Sequence, residues 1–217
     1  GYSQKDLNNQ SNPTIITEFS PNGSLENILE LINRGLKPKE WTSTKVLISI
    51  YGIAAGMAHV HSNNIIHRDL KPANIFYDEY LFPKIGDFGL SKEIDKENDI
   101  CPYQIGTPAF MSPEIIENNQ YNKSGDVYAF AILIYQLITL NTPYKGLSYM
   151  QVCRNVIAGK RPSFDFCYIP DCYKKLIERC WSQNPEERPS FEEILETLEN
   201  DKEFIYDDID EDDFYEY

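Results

Sequence analysis

The most informative part of the chain is His67-Arg68-Asp69-Leu70-Lys71-Pro72-Ala73-Asn74, which is followed closely by Asp87-Phe88-Gly89. Two short β-rich runs, Ile75-Phe76-Tyr77 and Pro83-Lys84-Ile85, lie between these segments and flank the polar pair Asp78-Glu79. Runs of this kind around a polar turn predict a β-hairpin. Because a hairpin returns the chain to where it started, we expect Asp87 to lie beside Asn74, with Asp69 in the same cleft.

The two segments together resemble the catalytic loop and the metal-binding loop of protein kinases. The family pattern is H-R-D-L-x-x-x-N followed by D-F-G, and every named letter is present here. Kinases transfer the γ-phosphoryl group of ATP chiefly by positioning and by charge neutralisation with Mg²⁺. Taken singly, an Asp or Asn in a polar loop is usually a turn former or a helix cap. The order and spacing of all the residues carry the resemblance.

The resemblance implies a role for each residue of the two motifs. Asp69 would orient the substrate hydroxyl and accept its proton, and Lys71 would contact the transferred phosphate. Asn74 and Asp87 would supply oxygen ligands to Mg²⁺, which is a hard cation. Supporting roles fall to the other motif residues, which are His67, Arg68, Phe88 and Gly89.

The segment before these motifs resembles the hinge that holds the adenine of ATP. Residues 15–19 predict a strand and residues 20–23 a turn, and the apolar spacing after Ser24 predicts a helix capped by that serine. The resemblance places ATP against Thr17 as the gatekeeper, the backbones of Glu18 and Ser20, and Phe76 as the floor of the adenine pocket. In the alternative, Phe76 is an ordinary core residue.

Residues 106–114 resemble the substrate-facing end of the kinase activation segment. The family's A-P-E motif appears here as Ser112-Pro113-Glu114, and the change of Ala to Ser is small. The resemblance pairs Glu114 with Arg188. It gives Thr107 a structural role, in which its hydroxyl bonds Asp69 and Lys71.

Arg68 is the residue that the resemblance connects with regulation. In the family, an arginine at this place often binds a phosphate on the activation segment. We expect Arg68 to meet phosphorylated Tyr103 or, without modification, one of three acidic residues, which are Asp95, Glu97 and Asp99.

Most of the remaining sequence predicts helices. An apolar stripe predicts a long helix over residues 44–61, and a run that is apolar nearly all round predicts a buried helix opening at Asp126. Further helices are expected over residues 149–158, over residues 172–181, and after a capping box at Ser190. By resemblance, Asp126 fixes the backbone of the catalytic loop. The predicted fold class is α+β, with a kinase-like, mainly helical C-terminal lobe, a short hairpin and a remnant hinge strand.

Composition narrows the class of protein. The chain has 217 residues and a net charge of −14, which argues against a nucleic-acid-binding surface. No apolar run reaches the roughly 18 residues of a transmembrane helix. The five cysteines form no CxxC pair, which favours a reduced, cytoplasmic setting over disulfides or zinc, although the parent protein could be tethered to a membrane. His59 and His61 are interpreted as ordinary helix residues.

The chain divides into three parts. Residues 1–13 are polar and are expected to form a loop left over from a small lobe, and residues 14–199 form the kinase domain. Residues 201–217 hold nine acidic residues against Lys202, which predicts a solvated, disordered tail over residues 200–217. In the alternative, the tail docks through five aromatic residues, which are Phe204, Tyr206, Phe214, Tyr215 and Tyr217.

Two motifs that clamp ATP in kinases are not found in the 217 residues. The sequence contains no G-x-G-x-x-G and no V-A-I-K, and Lys5 is the only lysine before Thr17. We therefore expect the parent protein to carry an upstream small lobe. We also expect this chain alone to bind ATP weakly and to transfer phosphate poorly or not at all.

Two functions are compatible with the sequence. The first is a serine/threonine kinase of the tyrosine-kinase-like group, which uses ATP and Mg²⁺ to phosphorylate a protein substrate. Lys71 and Thr107 favour serine/threonine over tyrosine specificity by resemblance. The second is a non-catalytic, kinase-like binding module, which would have no need for Asp69, Asn74 and Asp87 together.

Overall fold

A computed structural model describes residues 1–6, 8–93, 99–100, 106–165, 169–205 and 208–217. The helices in these ranges are α1 (Leu25–Asn33), α2 (Ser43–Ser62), α3 (Pro113–Asn118), α4 (Lys123–Thr139), α5 (Tyr149–Ile157), α6 (Asp171–Cys180), α7 (Phe191–Asn200) and α8 (Glu211–Glu216). The strands are β1 (Tyr2–Ser3), β2 (Thr14–Ile15), β3 (Ile65–Ile66), β4 (Ile75–Tyr77), β5 (Pro83–Ile85), β6 (Lys92–Glu93), β7 (Asp99–Ile100) and β8 (Gln120–Tyr121). None of the described helices is long and apolar enough to span a lipid bilayer.

Helix α4 lies at the centre of the lobe. Every residue from position 125 to position 135 is buried, as its nearly continuous apolar sequence predicts. The helix begins at Lys123 rather than at Asp126, because the side chain of Asn122 accepts a hydrogen bond from the Gly125 N–H at 2.9 Å. Helix α4 packs against α6, and α2 packs against α7 and β5.

The predicted hairpin is confirmed. Strands β4 and β5 pair antiparallel, with Ile75 opposite Ile85 and Tyr77 opposite Pro83. The turn between them is closed by Asp78, whose Oδ1 accepts the N–H groups of Tyr80 and Phe82 at 3.0 Å each. These side chain to backbone bonds explain why a short polar pair is enough to reverse the chain.

The hinge region contains less strand than the sequence predicts. Strand β2 ends at Ile15, whereas a strand over residues 15–19 was expected, and the expected loop at residues 1–13 contains β1. The two strands pair antiparallel, and only Ile16 extends this pairing, through the Gly1 backbone. Beyond Ile16, no described strand pairs with the segment, and Phe19 is 83% exposed.

The acidic tail differs from the disordered segment expected for residues 200–217. Phe204 is 1% exposed and packs edge-on against Tyr173, and Phe214 is buried against α2. Burying one large apolar side chain stabilises by about 1.5–3 kcal/mol, whereas repulsion among exposed charges is weakened by salt. The docking alternative therefore describes this segment better. Of its five aromatic residues, Tyr215 and Tyr217 are exposed and Tyr206 lies outside the described residues.

Candidate active site

The backbone of the candidate catalytic loop is held by one buried carboxylate, that of Asp126 at the start of α4. Its Oδ2 accepts the backbone N–H of His67 at 2.8 Å, and its Oδ1 accepts that of Arg68 at 2.9 Å. Arg68 has a φ of 67°, a conformation that costs a non-glycine residue about 1–3 kcal/mol. The two charge-assisted hydrogen bonds offset this strain and fix the direction in which the loop leaves β3.

Asp69, Lys71 and Asn74 are in mutual contact within this loop. The Asn74 amide nitrogen donates to the Asp69 carbonyl oxygen at 2.7 Å and to the Asp69 carboxylate at 3.0 Å. The Lys71 ammonium group lies 2.7 Å from the same carboxylate oxygen. The Asp69 side chain is 9% exposed. Two donors, Lys71 and Asn74, orient its carboxylate in the absence of a ligand. This arrangement suits a group that must accept a proton in a fixed direction.

The hairpin brings the Asp-Phe-Gly segment back to this loop. The Gly86 N–H donates to the Asn74 carbonyl oxygen at 2.9 Å, and Asp87 follows directly. Asp87 has a left-handed backbone with a φ of 56°, is exposed, and accepts the Gly89 N–H at 3.3 Å. Asp87 therefore follows a backbone position that is hydrogen-bonded to Asn74, as the hairpin predicts.

His67 connects the two loops. Its Nε2 lies 3.1 Å from the Gly86 carbonyl oxygen, and its Nδ1 accepts the Asp69 N–H at 3.3 Å. A single neutral tautomer, with the proton on Nε2, satisfies both contacts. The ring also packs against Phe88, with 5.0 Å between centroids. His67, which is expected to have a supporting role, therefore bridges the two loops by hydrogen bonds and by packing.

The donor set of these loops fits Mg²⁺. Because the Asn74 amide nitrogen is committed to Asp69, its carbonyl Oδ1 is left as the acceptor, and no described residue donates to it. The Asp87 carboxylate is exposed and accepts only the one long bond from Gly89 among the described residues. An amide oxygen and a carboxylate are ligands that this cation prefers. Gly86 adds space, since a Cβ there would lie 2.8 Å from the ring of Phe76.

The expected adenine-binding residues lie next to the hairpin, but they are not enclosed. Thr17 and Glu18 are exposed. Phe76 is half-buried and forms an isolated antiparallel β-bridge with Ser24. The Glu18 carboxylate lies 2.6 Å from the Lys84 ammonium group, and this hydrogen bond is the main cause of a raised pKa of Lys84. The Ser20 carbonyl oxygen accepts the Gly23 N–H at 3.1 Å and so closes a turn. Their roles toward ATP stay predictions.

Glu114 and Arg188 form the ion pair that the sequence led us to expect. The two guanidinium nitrogens of Arg188 lie 2.7 and 2.9 Å from the two carboxylate oxygens of Glu114. Arg188 also donates to the carbonyl oxygens of Ser182 and Ser124, and its side chain is fully buried. The pair therefore joins the end of the activation segment to the loop before α7.

Thr107 does not make the contacts expected of it. It lines a small cavity together with Asp69, but its hydroxyl donates to neither Asp69 nor Lys71 among the described contacts. Asp69 Oδ2 accepts instead from Lys71 and Asn74. The structure shows proximity between Thr107 and the candidate base, and the structural role of Thr107 stays a prediction.

The regulatory prediction for Arg68 falls largely on undescribed parts of the chain. Its Nε donates to the Leu90 carbonyl oxygen at 2.6 Å, and its guanidinium lies 5.3 Å from the centre of the Tyr121 ring. The expected partners Tyr103, Asp95 and Glu97, and the side chain of Asp99, lie outside the described residues. Their pairing with Arg68 therefore stays a prediction.

His61 is a site residue that sequence reasoning missed. Its Nε2 lies 2.9 Å from Asp126 Oδ2, and its ring packs edge-on against Phe191. His61 thus supports the carboxylate that holds the loop backbone. The available signal was the apolar stripe of α2, because a polar residue on a buried face needs a hydrogen-bonding partner.

Comparisons with known proteins agree with this geometry. The family model of protein tyrosine and serine/threonine kinases matches residues 5–198. A Dictyostelium discoideum protein described as a probable serine/threonine-protein kinase is 40% identical over 191 residues, which cover 85% of this chain and 14% of that protein. A dual specificity protein kinase of the same organism is 36% identical over 198 residues, covering 85% of this chain and 29% of the relative. A serine/threonine-protein kinase of Arabidopsis thaliana is 36% identical over 189 residues, covering 86% of this chain and 32% of the relative.

This chain spans 14 to 32% of the length of these three relatives. The family match extends over nearly all of the lobe, and the described structure is mainly helical with a few short strands. Both findings confirm the predicted kinase-like fold. The relatives named above confirm the resemblance to serine/threonine kinases of the tyrosine-kinase-like group. The chain belongs to the protein tyrosine and serine/threonine kinase family.

Proposed function

We propose that the protein to which this chain contributes transfers the γ-phosphoryl group of ATP to serine or threonine hydroxyls of a protein substrate. The observation that supports this most directly is the set of contacts among Asp69, Lys71 and Asn74, with Asp87 brought to the same loop by the hairpin. A binding module without catalysis would not require a proton acceptor and two oxygen donors in one cleft. The family pattern H-R-D-L-x-x-x-N with D-F-G is complete in these residues.

Asp69 is the proposed proton acceptor. The substrate hydroxyl oxygen forms a bond to the γ-phosphorus. At the same time, the bond between the γ-phosphorus and the oxygen that bridges it to the β-phosphate breaks. The products are the phosphorylated substrate and ADP. The hydroxyl proton passes to the Asp69 carboxylate. Lys71, which lies 2.7 Å from that carboxylate, is placed to contact the transferred phosphoryl group. General-base help of this kind contributes about 10²–10⁴ in rate.

Asn74 and Asp87 are the proposed holders of Mg²⁺, through the amide oxygen and the carboxylate. When bound, the cation supplies positive charge that neutralises the phosphates. His67 keeps the two loops in register by its bonds to Gly86 and Asp69. Asp126 and His61 in turn hold the backbone on which Asp69 stands.

Serine/threonine specificity is proposed from Lys71 and Thr107 and from the relatives' names. Two of the three relatives described above carry serine/threonine kinase in their names, and the third is named a dual specificity kinase. A test of specificity must therefore include tyrosine as an acceptor.

Transfer by this chain alone is proposed to be weak. Its 217 residues contain neither the glycine-rich loop nor the strand lysine that hold the ATP phosphates in the family. Proposed ATP-contacting residues Thr17 and Glu18 are exposed. Full activity would require a small lobe to cover this side of the cleft.

The test compares this chain with a longer chain that carries a glycine-rich loop and a strand lysine in front of residue 1. Radiolabelled ATP and Mg²⁺ are supplied with matched peptides whose only hydroxyl is serine, threonine or tyrosine. We expect the longer chain to label the serine and threonine peptides, and this chain to label them poorly or not at all. Asp69→Asn in the longer chain should lower kcat by about 10²–10⁴.

The matched control is Asp171→Asn, which changes an exposed carboxylate at the start of α6 and should leave kcat unchanged. Equal turnover by the two chains would contradict the need for the small lobe. A folded longer chain that labels no peptide would contradict the kinase proposal and would favour the non-catalytic binding module.

A further inference from the structure

Residues 208–217, here called the tail segment, lie on a surface built by α2 and the β4–β5 hairpin. The surface, here called the tail site, consists of Thr44, Lys45, Tyr51, Gly52 and Phe82. Among the described residues, Asp69, Asn74 and Asp87 make no hydrogen bond or ion pair with the tail segment. The kinase chemistry does not account for it.

The polar contacts of the tail segment fix its direction. The Asp210 N–H donates to Thr44 Oγ1 at 2.9 Å, and Asp210 also caps α8 by accepting the Asp213 N–H. The Lys45 ammonium group lies 3.3 Å from the Asp213 carboxylate and 4.7 Å from the centre of the Phe82 ring. The Lys45 side chain is only 14% exposed, so its charge is largely committed to this site.

Two aromatic side chains anchor the tail segment. Phe214 is 7% exposed and meets Tyr51 edge-on with 5.7 Å between centroids. The Tyr217 ring lies 4.6 Å from the Phe82 ring, and its hydroxyl occupies the space where a Cβ on Gly52 would stand, although the residue as a whole is 40% exposed. Phe214 lies within α8 and Tyr217 directly follows it, and both rings contact the site. Tyr215, between them, is 64% exposed.

The tail segment depends on the tail site for its order. Its ten residues include six acids and no basic residue, and Lys45 makes the only ion pair with it among the described residues. Helix α8 has six residues, and an isolated helix this short is marginal in water. The segment therefore gains its order from the site. Its attachment to the same chain supplies an effective concentration in the millimolar range, which can compensate for low affinity.

We propose that the tail site is a docking site for acidic protein segments that carry an aspartate followed by two aromatic residues three positions apart. The chain's own tail segment occupies the site in cis. A partner protein with the same pattern binds by displacing it. The pattern follows from the site: Lys45 selects the aspartate, Tyr51 the first aromatic residue, and Phe82 with Gly52 the second.

The test uses a fluorescent peptide of residues 208–217 and measures its anisotropy with variants of the full chain. Phe214→Ala combined with Tyr217→Ala removes both anchors and opens the site. We expect saturable binding to this opened chain, at least about tenfold tighter than to the unaltered chain, where the tail segment competes. Adding Lys45→Glu to the opened chain places like charges together and should weaken binding by more than about tenfold.

Matched controls separate docking from non-specific attraction. Glu216→Gln in the full chain alters an exposed residue of the tail segment that makes no ion pair among the described residues, and it should leave the site closed. A peptide with alanine in place of both anchor residues keeps the charge and should bind more than about 30-fold more weakly. Circular dichroism verifies that each variant is folded. If the opened chain is unfolded, Asp213→Lys combined with Tyr217→Ala replaces it, because repulsion from Lys45 and the loss of one anchor weaken binding of the tail segment while the buried Phe214 is kept.

The proposal is overturned if a folded, opened chain shows no saturable binding. It is also overturned if the unaltered and opened chains bind the peptide equally, or if Lys45→Glu has no effect, since the peptide would then bind elsewhere. Kinase activity is not part of this readout, so the result does not depend on the proposed function.

Discussion

At the scale of single residues, Asp126 shows how a buried charge positions a loop. It accepts bonds from two backbone N–H groups and lies within 2.9 Å of His61, so its charge is compensated although it is buried. The sequence resemblance pointed to Asp126 but not to His61. The difference has a physical cause: a family motif identifies an acid by position, whereas the partner of a buried acid is known only from packing.

The Glu114–Arg188 pair allows a prediction at this scale. Removing one member of a buried ion pair leaves the other charge without a partner, which costs roughly 3–5 kcal/mol. Glu114→Ala should therefore lower the free energy of unfolding by about that amount, as measured by urea denaturation.

The control for this prediction is the exposed pair of Glu30 and Arg34, which are 3.4 Å apart on α1. Glu30→Ala should cost no more than about 0.5 kcal/mol, because exposed pairs on a helix contribute little. Equal losses for the two variants would show that burial of Arg188 does not set the cost.

At the scale of elements, the helices and the β4–β5 hairpin were predictable, because their sequence patterns are local. The capping box at Ser190 and the apolar stripe of α2 place helix boundaries to within about two residues. Strand β2 was not predictable in the same way. Its length depends on pairing with β1, which lies in a polar segment that the sequence gives no reason to call a strand.

The tail shows a second limit of local patterns. Its charge predicts disorder, but the contacts of Phe214 and Tyr217 depend on a surface formed by distant residues of α2 and the hairpin. For the candidate site, the sequence predicted that Asp69, Asn74 and Asp87 lie near one another; the structure places Asn74 in contact with Asp69, and Gly86, next to Asp87, is hydrogen-bonded to Asn74. The sequence could not reveal that the Thr107 hydroxyl makes no hydrogen bond with Asp69 among the described contacts, because that depends on side-chain geometry.

The contact between α2 and α7 provides a pH-dependent prediction. The Tyr51 hydroxyl donates to the Glu199 carboxylate at 2.7 Å, and this bond, together with burial, raises the pKa of Tyr51 from 10.0 to about 12. The pKa of Tyr51 is higher in the folded state than in the unfolded state. The contact therefore contributes fully to the stability of the fold below about pH 10, and this contribution is lost as the pH rises toward about 12. Tyr51→Phe should cost about 0.5–1.5 kcal/mol near neutral pH.

Urea denaturation of both chains between neutral pH and the alkaline limit of folding measures this difference. The difference between them should shrink above about pH 10. Tyr215→Phe, which alters an exposed hydroxyl, should show no difference at any pH. A cost of Tyr51→Phe that stays constant across the range would contradict the assigned hydrogen bond.

At the scale of the whole molecule, the uncovered hinge segment, residues 15–19, is the part of the surface that we expect to promote association between chains. Ile15 is 78% exposed and Phe19 is 83% exposed, next to a two-stranded sheet with open edges. Exposed apolar residues at a strand edge promote association between chains. Ile15→Lys combined with Phe19→Lys should weaken self-association of this chain by at least about tenfold in sedimentation velocity experiments.

Leu36→Lys is the control, because Leu36 is 63% exposed but lies after α1, away from the sheet. It should leave the sedimentation profile unchanged. Comparable loss of association in the control would assign the contact to general surface hydrophobicity rather than to the hinge segment.

The proposed function requires that Asn74 and Asp87 hold Mg²⁺ beside Asp69 in one cleft. A crystal structure of the longer chain with Mg²⁺ and a non-hydrolysable ATP analogue tests it most directly. We expect Asn74 Oδ1 and an Asp87 carboxylate oxygen at about 2.0–2.1 Å from the metal. A metal bound without these two residues, or carboxylates of Asp69 and Asp87 on separate surfaces, would contradict the claim.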